Sequence, residues 1–189
     1  MKRSLEKFSK LVDALQDLPT IGQKSATRLA YHMVMKDSFG AMKLAHAIEN
    51  ALGSLRKCNV CGGLSEDELC SICSDDSRDS HILCMVENAK DILVLEDHHI
   101  FNGCYYVFDS LEHLDLHHLR STIKSGVDEL VFALTPSVAN DAVILYIEDK
   151  LEDLEVSFSK IAQGVPTGVS LENVDMISLS RALEDRVKL

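Results

Sequence analysis

The chain has 189 residues, a length that fits one or two globular domains with a buried core. Its composition, 46% hydrophobic and 26% charged, is too apolar for a disordered protein. The most apolar region, 131–147, is interrupted by Pro136, Asn140 and Asp141, which argues against a membrane-spanning helix. The N-terminal segment has no continuous apolar core, so we expect no secretory signal, a cytoplasmic protein and reduced cysteines. The absence of Trp and an aromatic content of 5% argue against a surface built on base stacking.

Charge is distributed unevenly along the chain, although the net value of −11 alone would argue against nucleic-acid binding. Residues 1–57 carry 10 Lys and Arg against 5 Asp and Glu, a net charge of +5. Residues 58–189 carry 9 against 25, a net charge of −16. A basic segment followed by an acidic one predicts contact with nucleic acid at one end of the chain only.

Apolar residues recur at helical spacing three times within the basic segment. The spacing predicts a helix from Leu5 to Leu15, a second helix that fades near Asp37, and a third from Phe39 to Leu55. Small residues on the second helix, Ala26 among them, mark the predicted helix crossing. The apolar residues of the third helix that we expect to face inward are Leu44, Ala45, Ile48, Leu52 and Leu55.

A tight turn at 20–22 joins the first two helices, and its spacing resembles a helix-hairpin-helix nucleic-acid element. In such an element, the amides and the dipole of the second helix hold a phosphate oxygen independently of base sequence. Lys24 and Arg28 lie four residues apart and add two charges on the same face. The usual first glycine is Thr20 here and the common proline is Gln23, so Gly22 alone permits close phosphate approach. We expect Gly22, Lys24 and Arg28 to bind DNA; the alternative is an ordinary turn with solvated basic residues.

Four of the six cysteines follow the spacing Cys58-x2-Cys61-x8-Cys70-x2-Cys73. Two CxxC turns supply the four thiolate corners of a tetrahedral zinc site, with one Zn²⁺ per chain. Because no coordination position would remain open, the site is expected to be structural. Disulfide pairing and an iron–sulfur cluster are the alternatives, and a reducing compartment disfavours the disulfides. The other two cysteines lie in or beside apolar strands and are expected to be small buried side chains.

From residue 81 onward, apolar strand patterns alternate with helical ones. Strands are predicted at 81–86, 105–108, 129–134 and 155–158, and helices at 89–96, 116–125 and 137–151. This alternation predicts βαβ units and a parallel sheet. The tail contains a Gly- and Pro-rich turn at 164–168 and a short helix from about Leu179.

An acidic residue, Glu87, follows the first of these strands, in an arrangement that resembles the Mg²⁺ site of Toprim primases and topoisomerases. Metal-dependent Toprim enzymes also need an Asp-x-Asp after a later strand, and residues 133–137 contain no acid. A single carboxylate does not make a two-metal site. We therefore expect Glu87 to cap the following helix or to contact a partner protein.

The order of these motifs resembles the RecR recombination-mediator family over essentially the whole chain. The resemblance is carried by the basic hairpin, the four cysteines, Val86-Glu87-Asn88, and a tail that matches the family pattern between Gly164 and Leu183. It implies an α+β architecture of several parts: a helix-hairpin-helix DNA-binding bundle at 1–56, a four-Cys zinc finger or knuckle at 57–79, a Toprim-like α/β domain with a mainly parallel sheet at 80–163, and an oligomerisation tail with a short helix at 164–189.

Members of this family are non-catalytic. Together with RecO, and in some lineages RecF, they load RecA onto single-stranded DNA coated by single-strand-binding protein during DNA repair. The resemblance implies a homotetrameric ring that binds single- and double-stranded DNA at the nucleoid, in the cytoplasm. Lys24 and Arg28 occupy the DNA-contacting positions of the family, and Glu87 lies on the face associated with partner binding. Two loops on that face, 108–113 and 135–141, differ from the family pattern.

Two other functions remain open at this point. The first is a Toprim-type metal-dependent nuclease or primase-like enzyme that uses Glu87. The second is a zinc-knuckle interaction module whose basic charge is incidental.

Overall fold

The computed structural model describes residues 5–99, 101–162, 164–165 and 168–184. Parts of the predicted tail turn (166–167) and of the tail domain (185–189) therefore lie outside the described residues, as do residues 1–4 of the predicted helical domain and residue 163. The chain forms two compact units that divide between Leu55 and Arg56. No described helix has the length and apolarity needed to cross a membrane.

The described part of the first unit contains three helices: α1 (Glu6–Gln16), α2 (Gln23–Met35) and α3 (Ser38–Ser54). Its core lies between α1 and α2, where Val12, Ala26 and Ala30 are buried. Both alanines are fully inaccessible to solvent. Their small side chains stand one turn apart and let the two helices pack closely, as the spacing predicts.

The third helix departs from the prediction. None of its residues is buried, and the five apolar residues expected to face inward are all exposed. Leu52 is 81% exposed and Ile48 is 51% exposed. Helical periodicity shows that a face is apolar but not which molecule covers it, and the core of this unit is formed by α1 and α2.

The second unit begins with a short antiparallel hairpin that the sequence pattern did not reveal, β1 (Arg56–Lys57) with β2 (Leu64–Ser65). Four parallel strands follow in the spatial order β4-β3-β5-β6. They are β3 (Asp79–Val86), β4 (Gly103–Val107), β5 (Glu129–Ala133) and β6 (Ser157–Lys160). The helices are α4 (Ala89–Asp97), α5 (Leu116–Lys124), α6 (Val138–Leu151) and α7 (Met176–Glu184), with a 3-10 turn at Leu171–Asn173. The predicted parallel sheet is confirmed, and α7 begins three residues earlier than expected.

Both faces of the central strand β3 are covered. Leu83 and Met85 belong to a core cluster that includes residues of α5 and α6. Cys84 and Val86 point to the opposite face and pack with Ile92 of α4 and with the cysteine segment. This alternation follows from the two-residue repeat of a strand, and it makes the cysteine segment part of the core of this unit.

A partly buried ion pair connects the start of β3 to α4. The Arg78 guanidinium, whose side chain is 13% exposed, donates hydrogen bonds to both carboxylate oxygens of Glu96. The Tyr105 hydroxyl donates a further bond of 2.7 Å to the same carboxylate. The hydrogen bonds from Arg78 outweigh the effect of desolvation and lower the pKa of Glu96.

Candidate metal centre and nucleic-acid interface

The four cysteines of the predicted zinc site converge. Their Sγ atoms all lie within 4.8 Å of one another, and the Sγ atoms of Cys61 and Cys70 are 3.7 Å apart. Four sulfurs at about 2.3 Å from a tetrahedral zinc ion would be roughly 3.8 Å apart. None of the four is in a disulfide. Among the described residues, no other group of three or more His, Cys, Asp or Glu side chains could hold a metal ion. The donor set and its geometry therefore fit one structural Zn²⁺.

The local backbone explains how each CxxC turn presents its sulfurs. The Cys58 N–H donates to the Gly63 carbonyl at 2.7 Å, which closes the first turn next to the β1–β2 hairpin. Gly62 has a φ of +75°, a left-handed conformation that favours glycine. Backbone N–H groups also point at the sulfurs: Gly63 donates to Cys61 Sγ at 3.3 Å and Cys70 donates to Cys58 Sγ at 3.3 Å. Such outer contacts orient the ligands and moderate their negative charge.

Electrostatics within the cluster favour a bound cation. The Cys73 thiol, by hydrogen bonding, lowers the pKa of Cys61 to about 5, with the Gly63 N–H as a smaller contributor. The same contact with Cys61, together with burial, raises the pKa of Cys73. One thiolate thus disfavours a second, and four thiolates can coexist only around a positive ion.

The zinc segment is anchored on the parallel sheet. Cys58, Cys61 and Cys70 are buried in the same cluster as residues of β3 and α4. The Val107 N–H of β4 donates to the Cys61 carbonyl at 2.8 Å, and Lys57 Nζ lies 3.3 Å from an Asp109 carboxylate oxygen. These contacts join residues about 50 positions apart, so the spacing of the cysteines alone could not have revealed them. They give the metal site a structural role in the α/β unit.

The predicted hairpin between α1 and α2 is a tight turn. The Ile21 N–H donates to the Leu18 carbonyl at 3.2 Å, Pro19 occupies the second position, and Thr20 in the third has a φ of +69°. This pattern is that of a type II turn, which normally requires glycine at the third position. The structure therefore explains why a hairpin motif usually has glycine where this chain has Thr20.

The start of α2 is open to an anion. Gly22 is the N-cap with extended φ and ψ, and no side chain caps the first amides of the helix. A Cβ atom added to Gly22 would have no heavy atom within 4 Å. The packing of the chain therefore does not require glycine at position 22. Because glycine has no side chain, however, a phosphate can approach the backbone amides closely.

The two basic residues of the motif are available for binding. Lys24 and Arg28 are exposed on α2, which has no acidic residue in its first turn. Within the described part of the chain, neither forms an ion pair. Their charges are therefore not neutralised by a neighbouring carboxylate.

Glu87 does not cap the following helix, so this half of the expectation is wrong. Asn88 is the N-cap residue of α4, and Asp91 accepts a hydrogen bond of 3.1 Å from the Asn88 N–H. Both Glu87 carboxylate oxygens are engaged elsewhere: one accepts a bond of 2.6 Å from the Thr135 hydroxyl and the other accepts from the Asn140 amide. Sequence reasoning missed Asn140, which lies 53 residues away.

Family profiles match three parts of the chain. They describe the RecR helix-hairpin-helix at residues 8–52, the RecR zinc finger domain with four cysteines at residues 55–75, and the RecR C-terminal region at residues 164–187. The first contains the hairpin with Lys24 and Arg28, and the second contains all four cysteines.

Full-length relatives agree with these profiles. The chain is 57% identical over 190 residues to "Recombination protein RecR" of a Nitratiruptor species, with 100% of both chains covered. It is 52% identical to the protein of the same name from Campylobacter jejuni subsp. doylei, again with 100% of both covered. It is 48% identical to that of Helicobacter pylori, with 99% of this chain and 97% of the relative covered. The helical hairpin, the four-cysteine centre and these full-length identities together show that the chain belongs to the RecR family of recombination proteins.

Proposed function

We propose that this protein is a non-catalytic mediator of recombination in DNA repair. It binds single- and double-stranded DNA as a ring-like homotetramer and, with RecO and in some lineages RecF, helps load RecA onto single-stranded DNA coated by single-strand-binding protein. DNA binding would locate it at the nucleoid, in the cytoplasm. The observation that carries the proposal is the uncapped start of α2 beside the unpaired charges of Lys24 and Arg28.

Contact with DNA through this hairpin would be independent of base sequence. Backbone amides and the helix dipole recognise a phosphate, and the two side chains add charge to the same strand. The segment that contains the hairpin is basic, whereas residues 58–189 carry a net charge of −16 and would repel the phosphate backbone. Binding is therefore restricted to the helical unit, and several copies of it must converge to bind tightly.

The exposed face of α3 supports assembly. A groove of about 440 Å³ in the helical unit is lined mostly by apolar side chains from all three helices, among them Leu11, Leu15, Met33 and Ile48. Apolar surface of this kind usually marks an interface in a water-soluble protein. A second copy of the helical unit would cover it and bring two hairpins together, and the tail would supply the remaining contact of the tetramer.

A non-catalytic role is supported by the state of Glu87. Its two carboxylate oxygens accept hydrogen bonds from Thr135 and Asn140, which leaves it poorly placed as a metal ligand. We propose that Glu87 and the adjacent loops, 108–113 and 135–141, belong to the face on which RecO docks. The acidic character of residues 58–189 would favour a partner with a basic surface.

The salt dependence of DNA binding tests the hairpin assignment. The double substitution Lys24→Ala/Arg28→Ala should remove two phosphate contacts per hairpin without affecting the fold, because both side chains are exposed. On double-stranded DNA the log–log salt slope should fall by about 1.8 per hairpin engaged. The affinity ratio of wild type to variant should then shrink about 12-fold between 50 and 200 mM salt.

A matched control is Lys36→Ala/Lys43→Ala, which removes the same charge from exposed positions in the same unit but away from the hairpin. It should change the slope much less. Equal slopes for the wild type and the Lys24→Ala/Arg28→Ala variant would refute the proposed DNA contact.

Mass measurement tests the assembly. Light scattering of the wild type, alone and with DNA and RecO, should report a tetramer and its complexes. Ile48→Asp places a charge on the apolar groove and should reduce the mass, whereas Asn50→Asp, exposed on the same helix, should not. An unchanged tetramer in Ile48→Asp would exclude α3 from the interface.

A further inference from the structure

A hydrogen-bonded group at the end of the sheet joins three residues that the sequence keeps far apart. Glu87 directly follows β3, Thr135 follows β5, and Asn140 lies in the first turn of α6. The Asn140 amide nitrogen donates to a Glu87 carboxylate oxygen and, at 2.7 Å, to the Thr135 carbonyl. Because both of these neighbours can only accept, the hydrogen-bond network requires the amide nitrogen at this position rather than the amide oxygen.

Both oxygens of the Glu87 carboxylate accept hydrogen bonds within this group. The second Glu87 oxygen accepts from the Thr135 hydroxyl at 2.6 Å. The Thr135 hydroxyl first, and the Asn140 amide after it, lower the pKa of Glu87, so the side chain stays ionised at neutral pH. The charge is therefore stabilised mainly by two neutral donors. The next residue in the sequence, Asp141, forms an ion pair of its own, with its carboxylate oxygen 3.9 Å from Lys160 Nζ.

Asn140 also fixes a loop through its backbone. The Asn140 backbone N–H donates to the Ser137 hydroxyl oxygen at 3.1 Å, which is the N-cap contact of α6. Through its side chain and its backbone, Asn140 thus holds both ends of the segment 135–137 and ties that segment to the end of β3. In α/β sites with a magnesium ion, one or two carboxylates and several waters surround the cation at such a position. The residues present here do not fit that arrangement, because hydrogen-bond donors occupy the carboxylate.

We infer that Asn140 is a positioning residue that takes the place of a divalent cation at the Glu87 carboxylate. Its amide supplies the partial positive charge that a metal ion would otherwise supply, and it orders the β5–α6 loop at any magnesium concentration. The Glu87 position is consequently closed to Mg²⁺ and Mn²⁺. The inference does not depend on the proposed DNA contact, because none of these residues belongs to the helical unit.

The substitution Asn140→Asp should convert the closed position into a cation site. It replaces the amide donor with a second carboxylate at hydrogen-bonding distance from the first, and two such groups cannot both ionise without a cation or a shared proton. We expect this variant to be less stable than the wild type at neutral pH and to recover on addition of Mg²⁺ or on acidification. Mg²⁺ should not raise the melting temperature of the wild type. The control Asn50→Asp, which makes the same charge change at an exposed position, should respond to Mg²⁺ no more than the wild type does.

The decisive measurement is Mn²⁺ binding by electron paramagnetic resonance on the zinc-loaded, full-length protein. The wild type and Asn50→Asp should show no specific Mn²⁺ site, Asn140→Asp should show one site per chain, and the further substitution Glu87→Gln should abolish it. Hydrogen exchange gives the second readout: Asn140→Ala should speed exchange of the amides between residues 134 and 140 by about tenfold, with the cysteine segment unchanged.

Either of two results would overturn the inference. One is a specific Mn²⁺ site in the wild type that Glu87→Gln removes, since the carboxylate would then be open to cations. The other is an Asn140→Asp variant that folds but neither binds Mn²⁺ nor gains stability from it. Salt-dependent DNA binding of the Asn140 and Glu87 variants should stay at the wild-type value, because both residues lie outside the helical unit. A failure of the DNA proposal would therefore be recognised separately.

Discussion

Removal of the zinc ion should selectively unfold the second unit. Metal binding at a structural four-cysteine site contributes about 10 kcal/mol or more to folding, whereas a domain of this size has a total stability of roughly 5–15 kcal/mol. The structure indicates which packing contacts depend on the metal. Three of the four cysteines are buried in one cluster with Val86 of β3 and Ile92 of α4, so loss of the metal would unpack one whole face of the sheet. The core of α1 and α2 contains no cysteine and should persist.

The test compares the wild type with Cys58→Ser/Cys61→Ser and with protein treated with a thiol reagent and a chelator. The zinc content should fall from about one ion per chain to none. Amides of β3 should lose hydrogen-exchange protection, while those of α1 and α2 should keep it. Cys104→Ser is the matched control, because Cys104 is half-buried but lies outside the metal cluster. Full β3 protection in the zinc-free protein would refute the structural role, and retention of zinc by the double variant would refute the ligand assignment.

Three further predictions concern the turn and the ion pair. Thr20→Gly should raise the stability of the helical unit by about 0.5–1 kcal/mol, because relief of the left-handed conformation (φ +69°) exceeds the entropy that glycine loses on folding; a lower melting temperature would contradict this. Gly22→Ala should lower stability by only about 0.5–1 kcal/mol, the usual preference for glycine over alanine at an N-cap, because the new methyl group meets no atom within 4 Å, yet it should weaken DNA binding; unchanged affinity would count against the amide contact. Glu96→Gln should destabilise the protein by about 1–3 kcal/mol at pH 7, because it removes the carboxylate that is hydrogen-bonded to the partly buried Arg78 and leaves only Asp75, 4.0 Å away, as a counter-ion. Since the pKa of Glu96 is lowered by folding, its stabilisation is present above the unfolded pKa of about 4.3 and is lost as the pH falls through the folded value. The difference between variant and wild type in urea melts should therefore narrow below about pH 4; a constant difference would refute the role of the charge.

Several predictions that rest on residues close together in the sequence were confirmed. The cysteine spacing predicted a tetrahedral site, and the four Sγ atoms do converge. The small residues of α2 predicted a close crossing, and Ala26 and Ala30 are fully buried against α1. The alternation of strands and helices predicted the parallel sheet. In each case the relevant interaction depends on residues a few positions apart, or on a repeat that the pattern itself displays.

Predictions that needed a distant partner were incomplete or wrong. The apolar face of α3 was expected to point inward, but it is exposed, since a periodic pattern does not identify the surface that covers it. Glu87 was expected to cap α4 or to contact a partner, and the cap is wrong, because Asn140 at the start of α6 holds its carboxylate. The short β1–β2 hairpin was missed because two-residue strands show no periodicity.

The sequence by itself therefore determined the zinc ligands, the order of the helices and of the parallel strands, and the separation of a basic segment from an acidic one, because each of these is a local or additive property of the chain. Only the tertiary structure decided what each feature contacts. It packed the zinc segment against β3, left the face of α3 open, and brought the Asn140 amide to Glu87. The contacts of the zinc segment and of Asn140 depend on the order and register of the parallel strands, which bring together residues about 50 positions apart along the chain.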